Sequence, residues 1–139
     1  MSHFFRLKTE FKDADLIRRA AQKLGFPVET NDLCKGYNGI ETRCDLVVKL
    51  PSSYDLGFHQ TAQGYEVEAD FFSNYISQYL GTEDPNVAKE IGYENACICK
   101  FTDAYNRELV EQMAMNQGYM VTESTMEDGS IQLELVQCY

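Results

Sequence analysis

Hydrophobic and polar residues follow two different periods near the start of the chain. Residues 3–11 alternate loosely, which predicts a strand with one buried face. Apolar residues then recur at helical spacing and predict an amphipathic helix: Leu16, Ile17, Ala20, Ala21 and Leu24. Asp13 can cap this helix by accepting hydrogen bonds from free backbone N–H groups, and Gly25 can end it in a left-handed conformation. The start of the chain is therefore predicted to be a βα unit.

The middle of the chain contains shorter apolar stretches separated by turn residues. Residues 44–50 predict a buried strand that stops at Pro51, because proline cannot donate a ladder hydrogen bond. Residues 54–60 and 64–69 predict a β-hairpin joined by a short turn. Residues 71–80 carry aromatic residues at nearly helical spacing, which indicates a helix.

The last third of the chain has the most regular pattern. Apolar residues step by three and four positions along one face of a predicted helix: Ile98, Phe101, Tyr105, Leu109 and Met113. Gly118 ends this helix, and residues 119–122 enter a strand. Residues 127–130 form a turn, and the alternation in residues 131–135 predicts a final half-buried strand.

These elements predict an α+β fold. We expect an antiparallel or mixed sheet of about six strands, with two main helices packed on one face. The length of 139 residues suits a single globular domain, which we assign to residues 1–139. Hydrophobic residues make up 44% of the chain, which is enough to form a packed core and excludes a disordered protein.

Charge and cysteine content narrow the classes of partner and compartment. The net charge of −10 disfavours nucleic acids and anionic membranes as partners, whereas a basic protein partner remains open. No apolar run approaches the ~20 residues of a membrane span, so no membrane insertion is expected. The cysteines number five, without paired spacing, which predicts reduced thiols in the cytoplasm or in an organelle of similar redox state.

Several motifs, in order along nearly the whole chain, are similar to a known family. They are Met1-Ser2-His3-Phe4 with Lys8-Thr9, Lys35-Gly36-Tyr37, Tyr54-Asp55-Leu56-Gly57-Phe58, Tyr65-Glu66-Val67-Glu68-Ala69-Asp70, Gln117-Gly118-Tyr119 and Glu127-Asp128-Gly129-Ser130-Ile131 with Leu133 and Leu135. The chain resembles a divergent member of the chloroplast and cyanobacterial family of conserved reading frame thirty-five, a domain of unknown function. The resemblance implies a cyanobacterial cytoplasm or, for a plastid-encoded chain, the plastid stroma. It implies no catalytic residue.

Four cysteines raise the question of metal or redox chemistry. Cys97 and Cys99 would point about 200° apart on a helix, so they could not share one metal ion there. Cys34 and Cys44 flank a glycine-containing loop and would meet the other pair only through tertiary folding. We interpret these cysteines mainly as small core residues, and we predict no metal and no cofactor. A thiol or metal protein that uses all four is kept as an alternative.

His59 is the candidate for acid–base chemistry. It lies in a predicted strand beside Asp55, and Asp70 closes the same hairpin. No serine or cysteine stands in a recognised nucleophile motif, so we assign no catalytic residue. The alternative is a small enzyme or ligand-binding protein with a pocket around these three side chains, whereas the simpler interpretation is that they are solvated strand residues.

An aromatic patch is the basis of the leading functional hypothesis. Its candidate binding residues fall on neighbouring loops and strands: Tyr37, Tyr54, Phe58, His59 and Tyr65. If the rings share a face they could anchor a partner, and otherwise they fill the core. We therefore expect a non-catalytic accessory or adaptor protein that binds a protein partner. A homodimer formed through the exposed edge of the terminal strand is a further expectation.

Overall fold

The computed structural model describes residues 4–137, with side chains described for residues 11–120, 122–134 and 136. One sheet contains β1 (Phe4–Phe11), β2 (Val28–Lys35), β3 (Glu41–Val48), β4 (Leu56–Thr61) and β5 (Gly64–Asp70). A second sheet contains β6 (Tyr119–Thr125) and β7 (Ile131–Gln137). The helices are α1 (Ala14–Lys23), α2 (Ser77–Leu80), α3 (Pro85–Ile91), α4 (Tyr93–Cys97) and α5 (Cys99–Asn116), with a short 3-10 helix at Tyr37–Gly39.

The chain divides into two compact units, Met1–Tyr105 and Asn106–Tyr139. The first unit contains the five-stranded sheet, and the second contains the end of α5 and the two-stranded sheet. The single domain assigned to residues 1–139 stays a prediction.

The five-stranded sheet has the order β1-β5-β4-β3-β2, and all its pairs are antiparallel. In the central strand β4, Phe58 lies opposite Leu46 of β3 and opposite Val67 of β5. All three side chains are buried, so this register aligns apolar residues across the centre of the sheet.

Aromatic rings join the sheet to the first part of α5. The ring of Phe11 makes edge contacts with Phe58 and Phe101, at centroid distances of 5.6 and 5.5 Å. It also contacts Tyr105 at 4.8 Å, and the Tyr105 hydroxyl accepts a hydrogen bond from the backbone N–H of Lys12 at 2.9 Å. Edge-to-face pairs add about 0.5–1.5 kcal/mol each beyond the burial of their surface. This cluster is the main aromatic core of the first unit.

The predicted βα unit at the start of the chain is confirmed. The Asp13 carboxylate accepts a hydrogen bond from the backbone N–H of Asp15 at 2.8 Å, which caps α1. Four of the predicted apolar residues are buried along α1: Leu16, Ile17, Ala20 and Ala21. Gly25 follows the helix with φ +91°, the left-handed conformation that glycine adopts without strain.

The predicted helix, turn and strands of the second unit are also confirmed, but Met113 of the predicted apolar face and Ile131 of the predicted half-buried strand are exposed. Helix α5 ends before Gly118, and β6 pairs with β7 as an antiparallel hairpin. In the turn, the Asp128 carboxylate accepts hydrogen bonds from the backbone N–H and the hydroxyl of Ser130, which lower the pKa of Asp128. Arg107 forms an ion pair with Glu123 at 3.2 Å.

Two parts of the first unit differ from the pattern-based expectation. Strand β2 was not predicted, since it lies at an edge of the sheet and only Cys34 of its residues is buried. The helix predicted over residues 71–80 is wrong for its first part, because only Ser77–Leu80 is helical. Ser73 has φ +57°, which interrupts any helix at that point.

The α+β class is confirmed, with helices packed on the sheet. The pairing is entirely antiparallel in the described residues, which resolves the choice between an antiparallel and a mixed sheet. The strands are divided between a sheet of five and a separate sheet of two.

Candidate functional site

An open cavity lies at one end of the five-stranded sheet, where the β2–β3 connection faces the loops that precede β4 and follow β5. Its volume is about 470 Å³, within the range of roughly 300–1,000 Å³ that is typical of ligand pockets. Four aromatic residues line it: Tyr37, Tyr54, Phe72 and Tyr75. The polar lining includes Lys35, Glu41 and Ser53.

The four rings of the cavity form two pairs. Tyr37 and Phe72 meet edge to face at a centroid distance of 5.7 Å, and they are 39% and 46% exposed. Tyr54 and Tyr75 lie at 4.6 Å with an interplanar angle of 32°. Tyr54 is buried, so it supports the exposed ring of Tyr75 from beneath. Each exposed ring is thus held in place by an aromatic neighbour.

Asp70 fixes the backbone on both sides of the first ring pair. Its carboxylate accepts a hydrogen bond from the N–H of Tyr37 at 2.9 Å and one from the N–H of Phe72 at 3.0 Å. Because the side chain is buried, these bonds are little weakened by solvent. Asp70, which the sequence suggests as an acid–base group, therefore positions two walls of the cavity.

Asp55 has a similar positioning role at the base of the same loop. Its fully buried carboxylate accepts hydrogen bonds from the N–H groups of Lys35 at 3.1 Å and Leu50 at 3.3 Å. The ammonium of Lys49 lies 3.7 Å away and 3.2 Å from Asp32. Burial lowers the pKa of Lys49, but these two carboxylates outweigh it and raise that pKa overall.

Ser52 connects the loops that carry the second ring pair. Its hydroxyl lies 3.0 Å from the backbone carbonyl oxygens of both Tyr54 and Tyr75, so it can donate to either, and it accepts a hydrogen bond from the N–H of Tyr54. Sequence reasoning missed Ser52, Phe72 and Tyr75. The aromatic spacing that contains Phe72 and Tyr75 indicates a helix, so the sequence shows these rings but does not connect them with a binding site.

The remaining members of the predicted aromatic patch lie elsewhere. Phe58 is completely buried in the aromatic core, and Tyr65 is a half-buried residue of β5 opposite Gln60. His59 does not line the cavity in the part of the chain that the structure describes. Of the five predicted binding residues, Tyr37 and Tyr54 are brought together.

His59 instead belongs to a cluster formed by three adjacent strands. Its Nε2 atom lies 3.7 Å from Sγ of Cys44 on β3 and contacts Oε2 of Glu68 on β5. The three ligand-type atoms lie within 4.8 Å of one another. Cys44 and Glu68 are buried and His59 is partly exposed, so the cluster is reachable from one side. Sequence reasoning singled out Cys44 and His59 separately and missed Glu68.

Cys34 packs beside this cluster on its buried side. Its thiol donates a hydrogen bond to the carbonyl oxygen of Asp55 at 3.3 Å. The hydrogen bond with Cys44, together with burial, raises the pKa of Cys34 strongly, so this thiol stays protonated. Cys34 is therefore a neutral packing partner of Cys44.

Gly57 provides the space that the cysteine side chains occupy. A Cβ atom at this position would lie 2.5 Å from Sγ of Cys44, 3.2 Å from Sγ of Cys34 and 2.9 Å from the carbonyl oxygen of Glu68. The close approach of these atoms, and not a left-handed backbone, is the reason that only glycine fits here.

Cys97 and Cys99 lie outside this cluster. Cys97 ends α4 and Cys99 begins α5, with Ile98 as a break between the helices. Burial raises the pKa of Cys97 to about 11 and also raises the pKa of Cys99. The hydroxyl of Tyr93 donates a hydrogen bond to the carbonyl oxygen of Phe71 at 2.8 Å, and burial raises the pKa of Tyr93 to about 12.

Comparisons with known proteins agree with the resemblance seen in the motifs. The chain is 28% identical over 137 residues to "Uncharacterized protein ycf35" of Guillardia theta, covering 97% of this chain and 96% of that protein. It is also 28% identical over 111 residues to the protein of that name from Trieres chinensis, covering 68% of this chain and 84% of that protein. No solved structure matches the chain significantly.

Two further findings complete the comparison. Within the described part of the chain, no helix combines the length and apolar character needed to cross a membrane. The sequence model of a family described as "Protein of unknown function (DUF1257)" matches residues 20–134. The chain therefore belongs to the DUF1257 family.

Proposed function

We propose that this protein is a non-catalytic binding protein, and that the aromatic cavity takes up a short segment of a basic protein partner. One observation carries the proposal: two ring pairs converge on one open cavity of about 470 Å³ whose walls are held by buried polar groups. Concave sites with aromatic walls and a few placed polar groups are typical of binding sites.

The cavity is organised before any partner arrives. Asp70 and Asp55 hold the backbone beneath the rings, and Ser52 joins the two loops on the opposite side. A wall that is already ordered loses little conformational freedom on binding, and this favours affinity. Tyr and Phe side chains have only two rotatable torsion angles, so they too lose little conformational freedom on binding.

Charge supports a basic partner. The protein carries a net charge of −10, which attracts a cationic segment and repels an acidic one. The exposed faces of Tyr37 and Tyr75 can receive an arginine or lysine side chain by cation–π contact. Glu41 at the same cavity offers a carboxylate to such a group.

The proposed setting is the cytoplasm, or the plastid stroma for a plastid-encoded chain. A homodimer through the edge of β7 is a separate proposal, because an unpaired strand edge can pair with a second copy. The cavity does not depend on that dimer, since its lining residues all belong to the first unit.

Site-specific photo-crosslinking in cells of the native host tests the proposal. A photoreactive phenylalanine analogue replaces Phe72, which is 46% exposed in the cavity, or Ile91, which is 42% exposed outside it, as a matched control. We expect a protein adduct at position 72 and not at position 91. Peptide mapping should place the crosslink in a segment rich in Lys or Arg.

Three outcomes would contradict this proposal. One is the absence of any adduct specific to position 72. Another is an adduct to an acidic segment, and the third is an adduct to a metabolite, which would favour the ligand-binding alternative.

The partner segment, once mapped, gives a quantitative test as a synthetic peptide. Replacing an anchoring ring in a protein interface commonly costs ≥ 2 kcal/mol, or roughly a 30-fold increase in Kd. We expect this loss for Phe72→Ala and Tyr75→Ala, and no change for Ile91→Ala. Affinity should also fall as salt is raised, because a basic segment meets an acidic protein.

A further inference from the structure

We propose that Cys44, His59 and Glu68 form a binding site for one divalent transition-metal ion of the zinc class. This site is independent of the aromatic cavity and of the function proposed for it. Cys44 would supply Sγ, His59 would supply Nε2 and Glu68 would supply Oε2.

The separation of the sulfur and nitrogen ligand atoms fits one small ion. A Zn–S bond of about 2.3 Å and a Zn–N bond of about 2.0 Å at a tetrahedral angle require S and N atoms about 3.5 Å apart. Sγ of Cys44 and Nε2 of His59 are 3.7 Å apart. The three ligand atoms are all within 4.8 Å of one another. Oε2 of Glu68 is in direct contact with Nε2 of His59, so a rotamer change of Glu68 would open the space for an ion between them.

The scaffold of the site is rigid. The ligands come from β3, β4 and β5, which are neighbours in the centre of the sheet, and not from flexible loops. His59 and Glu68 occupy diagonal positions on paired strands, since His59 pairs with Glu66 and Glu68 pairs with Gly57. Long side chains at diagonal positions reach one another. Ligands held by sheet positions keep their geometry better than ligands on loops.

The donor set selects the class of metal. A thiolate, an imidazole and a carboxylate together suit zinc and similar borderline ions, whereas Mg²⁺ and Ca²⁺ prefer oxygen ligands alone. Three protein ligands leave a fourth position for water. The side chain of His59 is 19% exposed, and it offers the solvent access that this water needs.

Two surrounding features fit this assignment. Gly57 leaves the space in which Sγ of Cys44 sits, because a Cβ atom there would lie 2.5 Å from that sulfur. The hydroxyl of Thr42 lies 3.5 Å from Oε1 of Glu68, which is the carboxylate oxygen that is not the proposed ligand. The proposal does not require Glu68 to be free of other partners, because each carboxylate oxygen can accept more than one interaction.

Binding is a proton-for-metal exchange at Cys44. The S–H bond breaks, the proton passes to solvent, and the sulfur electron pair binds the ion, while His59 binds through the lone pair of neutral Nε2. No oxidant or reductant is involved. Metal uptake should therefore release protons and weaken as pH falls.

The test uses the full-length chain, purified without a histidine tag and incubated with Zn²⁺ or Co²⁺ before exhaustive dialysis. We expect about one Zn²⁺ per chain by elemental analysis, as for a single three-ligand site. The Co²⁺ form should show thiolate-to-metal charge-transfer absorption. Mg²⁺ in excess should not displace either ion.

Variants assign the ligands. Loss of even an outer-shell residue costs roughly 10–100-fold in metal affinity, so Cys44→Ser and His59→Gln should each weaken Zn²⁺ binding by about 100-fold or more. Cys44→Ser should also remove the charge-transfer band. Cys97→Ser and Cys99→Ser are matched controls, since neither thiol belongs to the cluster, and both should bind Zn²⁺ like the wild type.

Several results would overturn the site. They are a wild-type chain that retains no Zn²⁺, equal binding by His59→Gln, or binding that is lost in the two control variants. His59→Gln changes a partly exposed side chain, so it keeps the test decisive if Cys44→Ser does not fold. Circular dichroism of each metal-free variant separates loss of binding from loss of fold.

Discussion

Substitution of Gly57 by alanine tests how tightly the centre of the sheet is packed. The added Cβ atom would lie 2.5 Å from Sγ of Cys44 and 2.9 Å from the carbonyl oxygen of Glu68. The sulfur is confined by the buried thiol of Cys34, which would itself lie 3.2 Å from the added Cβ atom, and the carbonyl oxygen belongs to the paired strand β5 and can move only with its backbone. Overpacking a core typically costs 1–3 kcal/mol, and contact with fixed backbone places this case near the upper end, at about 3 kcal/mol.

The assay is urea and thermal unfolding of wild type and variant. For a chain of this length, a loss of about 3 kcal/mol corresponds to a fall in Tm of roughly 10 °C. Gly118→Ala serves as the control, because Gly118 has φ +82° and nothing within 4 Å, so its cost comes from the backbone alone and should be about 1 kcal/mol.

A second substitution identifies the source of the clash. In the Gly57→Ala background, Cys44→Ala removes the overlapping sulfur and should recover at least about 1 kcal/mol in a double-mutant cycle. The reasoning would be refuted by a Gly57→Ala variant within 0.5 kcal/mol of wild type, which is the ordinary range for uncrowded positions. A cycle without coupling to Cys44 would refute it equally.

Three other tests concern polar side chains with a shifted pKa or with fixed hydrogen bonds. Burial raises the pKa of Cys97 to about 11, so iodoacetamide should label Cys97 more slowly than the more exposed Cys99 at pH 8. The labelling rate of Cys97 should rise steeply toward pH 11. Tandem mass spectrometry measures the labelling of both sites, and equal rates would contradict the assignment. The folded pKa of Tyr93 is raised to about 12 from an ordinary value of 10.0, so the neutral phenol stabilises the fold below pH 10 and that stabilisation is lost as pH rises from 10 to 12. Tyr93→Phe should lower the free energy of unfolding by about 1 kcal/mol at neutral pH, because it removes the hydrogen bond to Phe71. In urea unfolding, the loss of stability between pH 10 and pH 12 should become shallower in this variant. An unchanged pH profile would contradict the prediction. Asp55→Asn leaves a buried N–H group or the Lys49 ammonium without its carboxylate oxygen. This should lower the free energy of unfolding by about 2 kcal/mol in the same urea experiment. A change below 0.5 kcal/mol would show that these contacts are replaceable.

The elements that sequence patterns predicted are those with local signals. Helix α1 combines a capping aspartate, an apolar stripe and a closing glycine, all within thirteen consecutive residues, Asp13–Gly25. The β4–β5 hairpin closes with Thr61 opposite Gly64, as expected from its short turn. In each case the stabilising contacts lie close in sequence, so a local pattern is enough to predict them.

The elements that were missed depend on contacts from distant parts of the chain. Strand β2 is mostly polar, and its place in the sheet comes from pairing with β3. The aromatic residues after β5 fail to form a helix because Asp70 binds the backbone of Phe72 and Ser73 takes a positive φ. A residue pattern records which side chains are apolar, but it does not record which backbone groups a distant carboxylate will hold.

The candidate sites show the same division. The sequence by itself determined that Tyr37 is an aromatic loop residue, that His59 and Cys44 lie on strands, and that the net charge is acidic. Only the tertiary structure decided that Phe58 is core, that Tyr37 and Tyr54 share a cavity, and that Glu68 is the carboxylate beside His59. The physical reason is that strand order and register are chosen by the burial of the whole sheet, so side chains that meet across β3, β4 and β5 carry no common local signal.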